Sequence, residues 1–436
     1  MKPLKRAATA KTERAVSPDR DPTKLMSLLA LAFALSACSS GGSPEDDDTG
    51  PQGCESNAQC ATDAAGPVCT VETGECGPAP LGGVIGWGDG SQGSALIGYI
   101  YTPERPLEAT DIAFHPDRPN ELWVLRREFE SEQPCNENQP TAAGCGALEG
   151  DVAVVFEPGS EQVSVQTFKD PNAWHFMRRP TALAFGNNGT FATVAEARTG
   201  NFLDDPLDYV GPSLWSSDLS EFTVQPPGGN GSHLDMLHMS PFAMGIAHEQ
   251  DNAHWVFNGQ IGSLDRYDFH VDHGPGNDDH SDGEISRYVT GQLTRVPNVP
   301  SHMVYDGTSN SLFVADSGAG RVVRLDTGSG VESASPLFPN YDNLVNTRVI
   351  DDAILTEVVP PGSVTTPSGL ALHEGVLYVT DNATSLIHAF SLDGEHLRSL
   401  DTGLPAGSLT AFVVGPDGLG YYVDKPNASV FCIHPY

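Results

Sequence analysis

Over most of its length the chain alternates between short apolar runs and turn-forming residues. From about residue 82 onwards, apolar or alternating runs are separated by glycine, proline, asparagine and aspartate. Such runs predict short β-strands, because strand side chains point to opposite faces at every second position and turn residues end each run. The same region shows no convincing amphipathic helix. We therefore expect an all-β fold.

The strand pattern is repeated. Residues 300–330 and 366–394 each contain an apolar strand, a turn, a second strand that ends in Val-x-Asp, another turn and an alternating third strand. Less complete copies begin at Ile112, Leu183, Ile246 and Phe412. One such sheet leaves both faces exposed, whereas six sheets in a ring cover one another. The pattern predicts a six-bladed β-propeller over residues 81–436.

The two clearest copies resemble blades of NHL-repeat propellers. Residues 95–101, ALIGYIY, precede the first copy and have no blade of their own. We expect them to form the outer strand of the last blade, beside residues 429–433, since an open ring would leave unpaired sheet edges. The intervals between copies predict insertions near 127–150, 200–240, 265–285 and 331–362, which we expect to become loops at the ends of the ring.

The N-terminus is typical of a targeting segment. Seven basic residues precede or adjoin residues 25–35, LMSLLALAFAL, a run too short to span a bilayer. The following Leu35-Ser36-Ala37-Cys38 resembles a bacterial lipobox. The resemblance implies that residues 1–37 are a signal peptide and that an acylated Cys38 anchors the protein in the cell envelope, at the outer membrane in a Gram-negative source. An ordinary signal peptide is the alternative.

Two small regions separate this segment from the propeller. Residues 38–53 are acidic and lack a large apolar side chain, which predicts a flexible tether. Residues 54–80 have too few apolar residues for a core, so we expect disulfides to replace it. A zinc site is disfavoured by the absence of Cys-x-x-Cys and of histidine. The cysteines of this module are Cys54, Cys60, Cys69 and Cys76, and their spacing leaves three pairings open.

The eight cysteines indicate an oxidising compartment. Cys135 and Cys145 flank one loop and predict a further disulfide. Cys432 lies in the apolar stretch SVFCI, which predicts a buried thiol.

The chain is strongly acidic, with a formal charge of −34. Without residues 1–37, the count of basic and acidic residues falls from 23 and 57 to 16 and 54, which gives −38. Nucleic acid is therefore not an expected partner, because its phosphates would be repelled. Cations or basic ligands are favoured, although high solubility alone would also explain the charge.

Residues 268–285, DFHVDHGPGNDDHSDGEI, are a candidate metal site. They do not form an EF-hand, because the third and twelfth positions are His280 and Val289. A hydrated acidic loop is the alternative to any metal. The oxygen ligands of a calcium site would be Asp272, Asp278, Asp279 and Asp282. A transition metal such as zinc would instead take His270, His273 and His280 with one carboxylate. Four further histidines of the third copy could reach the same region: His233, His238, His248 and His254.

The central channel provides a second candidate. His302 precedes an innermost strand and could be a metal ligand or a general base, although a hydrogen-bonded structural role is more common. Peptidyl-hydroxyglycine lyase domains carry zinc-binding histidines directly after the proline that opens a blade. The matching residues here are Thr181, Ser301 and Ser368. This argues against that zinc site and that activity.

Gluconolactonase-like propellers place acidic and amide ligands around one channel ion. The equivalent positions here, at the ends of second strands, are Glu196, Asn258, Asp316, Asp381 and Asp424. Their position also favours a structural role in turns, and the opening motif of that family is absent. We expect the propeller to bind a small molecule or a protein at its loop-rich end, with calcium or zinc as a candidate cofactor. The alternative is a metal-dependent hydrolase or lyase with its ion in the channel.

Overall fold

The computed structural model describes residues 53–435, apart from 55–56, 61–62, 71–72, 89, 92–94, 104–106, 129–148, 202, 204 and 335–341. The predicted signal peptide and all but the last residue of the predicted tether therefore lie outside the described residues. The described residues include three four-residue α-helices: α1 (Asn57–Cys60), α2 (Ala173–Phe176) and α3 (Leu219–Phe222). In the described part of the chain, no helix has the length and apolarity needed to cross a membrane.

The propeller consists of six antiparallel blades, as predicted. Strands are numbered along the chain, and β1 (Val68–Thr70) and β2 (Glu75–Gly77) pair with each other in the small cysteine module that precedes the propeller. The first strands of the blades are β4 (Glu108–Phe114), β8 (Pro180–Phe185), β12 (Ala243–Gln250), β16 (Met303–Asp306), β22 (Pro367–His373) and β26 (Leu409–Val414). The second strands are β5 (Glu121–Arg127), β9 (Thr190–Ala195), β13 (Ala253–Asn258), β17 (Ser311–Asp316), β23 (Val376–Asp381) and β27 (Gly420–Asp424). Each first strand contacts the first strands of the two neighbouring blades, so these six strands surround the central channel.

The outer half of each blade has two more strands. The third strands are β6 (Gly150–Phe156), β10 (Ser213–Ser216), β14 (Ser263–Asp268), β18 (Arg321–Asp326), β24 (Leu386–Ser391) and β28 (Ser429–His434). The fourth strands are β7 (Ser164–Phe168), β11 (Asp235–Met236), β15 (Glu284–Tyr288), β21 (Leu355–Val359), β25 (His396–Asp401) and β3 (Leu96–Tyr101).

The sixth blade closes the ring. Strand β3 pairs antiparallel with β28, with Leu96 opposite His434 and Tyr101 opposite Val430. The prediction for residues 95–101 is confirmed. The start of the propeller thereby completes its last sheet, which leaves no open edge between the chain ends.

The core is divided among the junctions between blades. At the junction of blades 1 and 2, Trp123, Phe191 and Trp215 are fully buried, and the rings of Trp123 and Phe191 lie 5.1 Å apart in an edge-to-face contact. Hydrogen bonds join the first strands as well. The Thr181 hydroxyl donates to the Ala243 carbonyl at 2.8 Å, and the Ser368 hydroxyl to Thr410 at 2.9 Å. These side chains link neighbouring blades.

The 331–362 insertion differs from the expected loop. Strand β20 (Asn346–Asp351) pairs parallel with β15, and β19 (Val331–Glu332) pairs with β20. The third blade therefore has six strands, two of them from the chain segment that belongs to the fourth. The predicted end loop is instead an addition to the outer edge of a neighbouring blade, where it pairs backbone groups that would otherwise be exposed.

Strand β14 is shorter than its alternating pattern suggests. Apolar and polar residues alternate through residue 272, but β14 ends at Asp268. His270 has a φ of 51°, in the left-handed region that a strand cannot continue through. The next strand, β15, begins at Glu284.

The small module contains two disulfides, as predicted, and the structure settles their pairing. Cys54 bonds to Cys69 and Cys60 to Cys76. Cys135 and Cys145 lie outside the described residues. The prediction of a free thiol at Cys432 is wrong: the residue is buried, as expected, but disulfide-bonded.

The closing strand provides a test of the ring. Ile97 packs against the core between blades 5 and 6, whereas the side chain of Leu96 beside it is 46% exposed. We expect Ile97→Asp to destabilise the protein by about 2 kcal/mol or more, because it buries a charge at the seam. Urea unfolding monitored by tryptophan fluorescence measures the change. Leu96→Asp is the matched control, and equal midpoints for the two variants would contradict a stabilising role of the seam.

Candidate functional site

The loop between β14 and β15 runs beside the segment that leads into β11 of the neighbouring blade. The amide of Asn230 donates to Gly276 at 2.9 Å, the amide of Gly276 to His233 at 2.8 Å, and the amide of His273 to Leu234 at 3.1 Å. Gly276 has a φ of 68°, and a Cβ there would lie 2.8 Å from a backbone oxygen. Only glycine therefore allows the two segments to approach this closely.

This pairing brings three histidines together: His233, His273 and His280, called the histidine trio below. One ring nitrogen of each lies within 4.8 Å of the others. His233 comes from the second blade and the other two from the third. Among the described residues, the only other group of this kind consists of disulfide-bonded cysteines.

Backbone carbonyls orient two members of the trio. The Nδ1 atom of His233 donates to Asn230 O at 2.9 Å, and Nδ1 of His273 donates to Gly274 O at 2.7 Å. A carbonyl only accepts, so the proton is on Nδ1 and Nε2 carries a lone pair. The Nε2 atom of His273 is buried without a hydrogen-bond partner. Burial, with the two neighbouring histidines, lowers the pKa of His233 to about 3 and keeps its ring neutral.

A carboxylate orients the third member. The Nδ1 atom of His280 lies 2.8 Å from Oδ1 of Asp235, a fully buried residue in β11. The other carboxylate oxygen, Oδ2, is buried without a hydrogen-bond partner. Burial raises the pKa of Asp235, and His280 partly offsets this effect. A hydrogen bond from Nδ1 to a carbonyl or carboxylate is the arrangement usual in metal-ligating histidines.

The trio adjoins a polar cavity of about 450 Å³ between blades 2 and 3. The ring of Phe176 stacks on His233 with centroids 4.0 Å apart. Asp342, from the insertion that extends the third blade, accepts hydrogen bonds from the amide and Nδ1 of His238 at 2.9 and 2.8 Å. The insertion thus fixes one wall of the cavity.

The four aspartates predicted as oxygen ligands do not join a group of three ligands among the described residues. Asp272 and Asp282 accept hydrogen bonds from amides of their own loop at 3.1 and 3.2 Å. Asp279 is exposed and accepts from the hydroxyl of Ser281 at 2.7 Å. Asp278 is exposed and lines the cavity with Asp279.

Of the three histidines in the predicted loop, His273 and His280 belong to the trio and His270 does not. The ring of His270 is 42% exposed and lies near Asp268 and Glu284, at 3.6 and 3.8 Å. The sequence placed His233 among the further histidines that could reach the candidate region, but it did not group His233 with His273 and His280. It missed Asp235, for which the only signal is the His-x-Asp spacing before a short strand.

His302 lies at the central channel. A cavity of about 260 Å³ is lined by residues from all six first strands, and its acidic side chain is Asp111. The Nδ1 atom of His302 is 3.5 Å from Oδ1 of Asp111, and Nε2 is 3.3 Å from Thr181 O. Burial raises the pKa of Asp111, and His302 partly offsets this. Among the described residues, no third metal ligand accompanies this pair.

The residues compared with lyase and lactonase ligands have structural contacts. The hydroxyl of Ser301 hydrogen-bonds that of Ser317 at 2.7 Å. Asp316 accepts from Arg321 at 2.8 Å, and Asp381 accepts from the amides of two residues of its own blade at 2.9 Å. Asn258 Nδ2 donates to a buried aspartate at 3.0 Å, and Asp424 accepts from Asn427.

Glu196 is the centre of a buried ion network at the ends of second strands. Its carboxylate lies 2.7 Å from Arg295, 3.3 Å from Arg127 and 3.6 Å from Arg179. Burial alone would raise the pKa of Glu196, but the arginines and the amide of Asn298 outweigh burial and lower it. The network joins blades 1 and 2 to the segment between blades 3 and 4.

The class of the protein follows from the fold: the chain is a six-bladed β-propeller. No family model matches it, and no curated protein is significantly similar in sequence. Among solved structures, it is similar to an auxiliary nutrient binding protein from Bacteroides thetaiotaomicron VPI-5482, with a TM-score of 0.48, 10% identity, and coverage of 78% of this chain and 76% of that chain. It is also similar to virginiamycin B lyase from Staphylococcus aureus, with a TM-score of 0.41, 10% identity, and coverage of 78% and 99%. At these values, no functional argument follows from either similarity.

The ion network predicts a pH-dependent contribution to stability. We expect Glu196→Gln to cost about 3–5 kcal/mol at neutral pH, because it removes the buried carboxylate that three arginines share. Since the folded pKa of Glu196 is lowered, its contribution is present above the usual value of 4.5 and is lost as the pH falls through the folded pKa. The difference in unfolding free energy between wild type and variant should therefore shrink in acid. Exposed Glu332→Gln is the control, and a pH-independent difference would contradict the assignment.

Proposed function

We propose that this protein is an envelope-anchored propeller that binds a small ligand in the cavity between blades 2 and 3 through a divalent transition-metal ion on the histidine trio. One observation carries the proposal. His233, His273 and His280 each use Nδ1 for a carbonyl or carboxylate, and one ring nitrogen of each lies within 4.8 Å of the others. Among the described residues, no group hydrogen-bonds the buried Nε2 of His273.

The spacing suits such an ion. Nitrogens bound to tetrahedral zinc at about 2.1 Å lie roughly 3.3 Å apart. The trio's ligand atoms lie within 4.8 Å, so small side-chain rotations would bring them into place. Three protein ligands leave the fourth position for water or a ligand from the cavity, which is the arrangement of exchangeable rather than closed structural zinc sites.

The ligand chemistry selects the class of metal. Neutral imidazoles suit zinc, copper, nickel and iron, whereas calcium takes oxygen ligands. Three of the four aspartates expected for calcium are engaged in hydrogen bonds within their own loop. Zinc is therefore favoured over calcium. A lactonase-like reaction in the channel is the second candidate, supported only by the His302–Asp111 pair.

The anchoring part of the proposal rests on the sequence. The apolar residues 25–35 and the Leu-Ser-Ala-Cys motif support an acylated Cys38 as the membrane attachment, with residues 39–53 as a polar spacer. The net charge of −34 argues against nucleic acid as a partner.

Metal analysis of the full chain tests the proposal. After purification in detergent, incubation with zinc and dialysis, we expect about one zinc ion per chain by mass spectrometry. His273→Ala should bring the content well below half, and Asp235→Asn should weaken affinity by about 10–100-fold because it removes the carboxylate that orients His280.

His270→Ala is the matched control, because His270 belongs to the same loop but not to the trio. It should retain zinc and the melting temperature of the wild type. Absence of zinc from the wild type, or equal loss in His270→Ala and His273→Ala, would overturn the metal site.

The predicted lipidation of Cys38 can be tested by mass spectrometry of the mature N-terminal peptide. We expect the mature N-terminal peptide to carry diacylglycerol on Cys38, and Cys38→Ser to remain uncleaved and unlipidated. Cys432 is disulfide-bonded. Non-reducing peptide mapping therefore gives a decisive alternative, because a Cys38–Cys432 cross-linked peptide would exclude lipid on the Cys38 thiol.

A further inference from the structure

We infer that the ligand of the cavity is a small zwitterion, with a carboxylate that binds the trio's metal ion and an ammonium group that faces the aspartates of the cavity. This inference rests on the proposed metal site and adds the chemical class of the molecule that occupies the open position. It follows from how charge is distributed along the cavity.

The part of the cavity beside His233 and His280 gains positive charge when the trio holds an ion. His233 and His273 offer neutral Nε2 atoms, since both Nδ1 protons are donated to carbonyls. A divalent ion on neutral imidazoles keeps its charge, and an anionic oxygen is a favourable fourth ligand. A carboxylate supplies such an oxygen.

The rest of the cavity is negative. Its charged lining residues, apart from histidines, are Asp278, Asp279 and Asp342, and neither lysine nor arginine lines it among the described residues. Both oxygens of Asp342 are held by His238, so that carboxylate has a fixed position. Asp278 and Asp279 are exposed beside the trio. A cationic group that enters with the ligand would be attracted by these carboxylates.

A neutral side chain adds a further acceptor. The amide nitrogen of Asn201 donates to Oδ1 of Asp208 at 2.9 Å. Asn201 lines the cavity, and its side-chain oxygen retains the capacity to accept a hydrogen bond from a ligand. An ammonium group has three donors and requires such acceptors.

The ion and the aspartates together discriminate between ligand classes. A simple anion would be attracted by the ion but repelled by the aspartates and by the overall charge of −34. A simple ammonium ion would be attracted by the aspartates but repelled by the metal ion. A molecule that carries both charges can place its carboxylate on the ion and its ammonium group against the aspartates.

Isothermal titration calorimetry with the zinc-loaded full chain tests this. The probes are ω-amino acids from β-alanine to 6-aminohexanoate, each paired with the unsubstituted carboxylate of the same carbon number. They are weaker chelators than α-amino acids, and their lengths sample the separation between the ion and the aspartates. We expect at least one amino acid to bind about threefold or more tightly than its paired carboxylate.

The aspartates are then removed in pairs. Asp278→Asn with Asp279→Asn should abolish that preference while zinc content stays at the wild-type level. Asp351→Asn with Asp352→Asn is the matched control, because these are also adjacent exposed aspartates and lie outside the cavity lining. The control should keep the preference.

The outcomes separate the two proposals. If zinc binds but no amino acid binds better than its paired carboxylate, the zwitterion is excluded and the metal site stands. If the Asp278/Asp279 double variant and the Asp351/Asp352 control show the same preference for the amino acid, the zwitterion is likewise excluded and the metal site stands. If the wild type binds no zinc, both proposals fail.

Discussion

The pairing of β3 with β28 is the interaction on which the propeller depends. Six first strands surround the channel, and each blade buries its faces against two neighbours. Such a ring is stable only if the strands at its last junction are hydrogen-bonded and packed like those at the other junctions. The chain uses residues before the first blade for this purpose, so that the two ends of the propeller lie side by side in one sheet. Interblade hydrogen bonds from Thr181 and Ser368 strengthen the same ring near its axis.

The candidate site forms where chain segments cover exposed sheet edges on the outside of the ring, at the second and third blades. Strand β11 has only two residues, so the second blade has a short outer edge. The loop after β14 runs beside the segment that precedes β11, and β20 covers the outer edge of the third blade. The cavity forms where these additions meet. Asp342 belongs to the added segment and the trio to the other two, so the cavity requires three separate parts of the chain.

The repeat made the fold predictable, and its irregularities limited what could be predicted of the site. Val-x-Asp endings and alternating strands define a blade locally, so residues near one another in sequence carried the signal. His233 lies forty residues before His273, and only the Gly276 pairing brings them together. Local spacing therefore selected His273 and His280 but could not select between His270 and His233. The left-handed backbone at His270, which turns that residue out of the strand, has no signature in the apolar pattern. Cys432 was misassigned for a related reason: an apolar neighbourhood predicts burial but not a distant partner.

The polar groups beneath the trio explain why a cation is the simplest account of this arrangement. The Nε2 atom of His273 and Oδ2 of Asp235 are both buried without hydrogen-bond partners. Each such group costs roughly 1–3 kcal/mol relative to a satisfied one, and a buried carboxylate is more costly when nearby charge does not compensate it. The other carboxylate oxygen of Asp235, Oδ1, contacts Nδ1 of His280 and the amide of Met236, so the carboxylate also holds the third member of the trio in place. A divalent ion bound to the trio would accept the lone pair of His273. It would also place positive charge beyond His280, on the side opposite Asp235. The same ion thus compensates two otherwise unfavourable groups, and its fourth coordination position is the part of the site that a ligand can use.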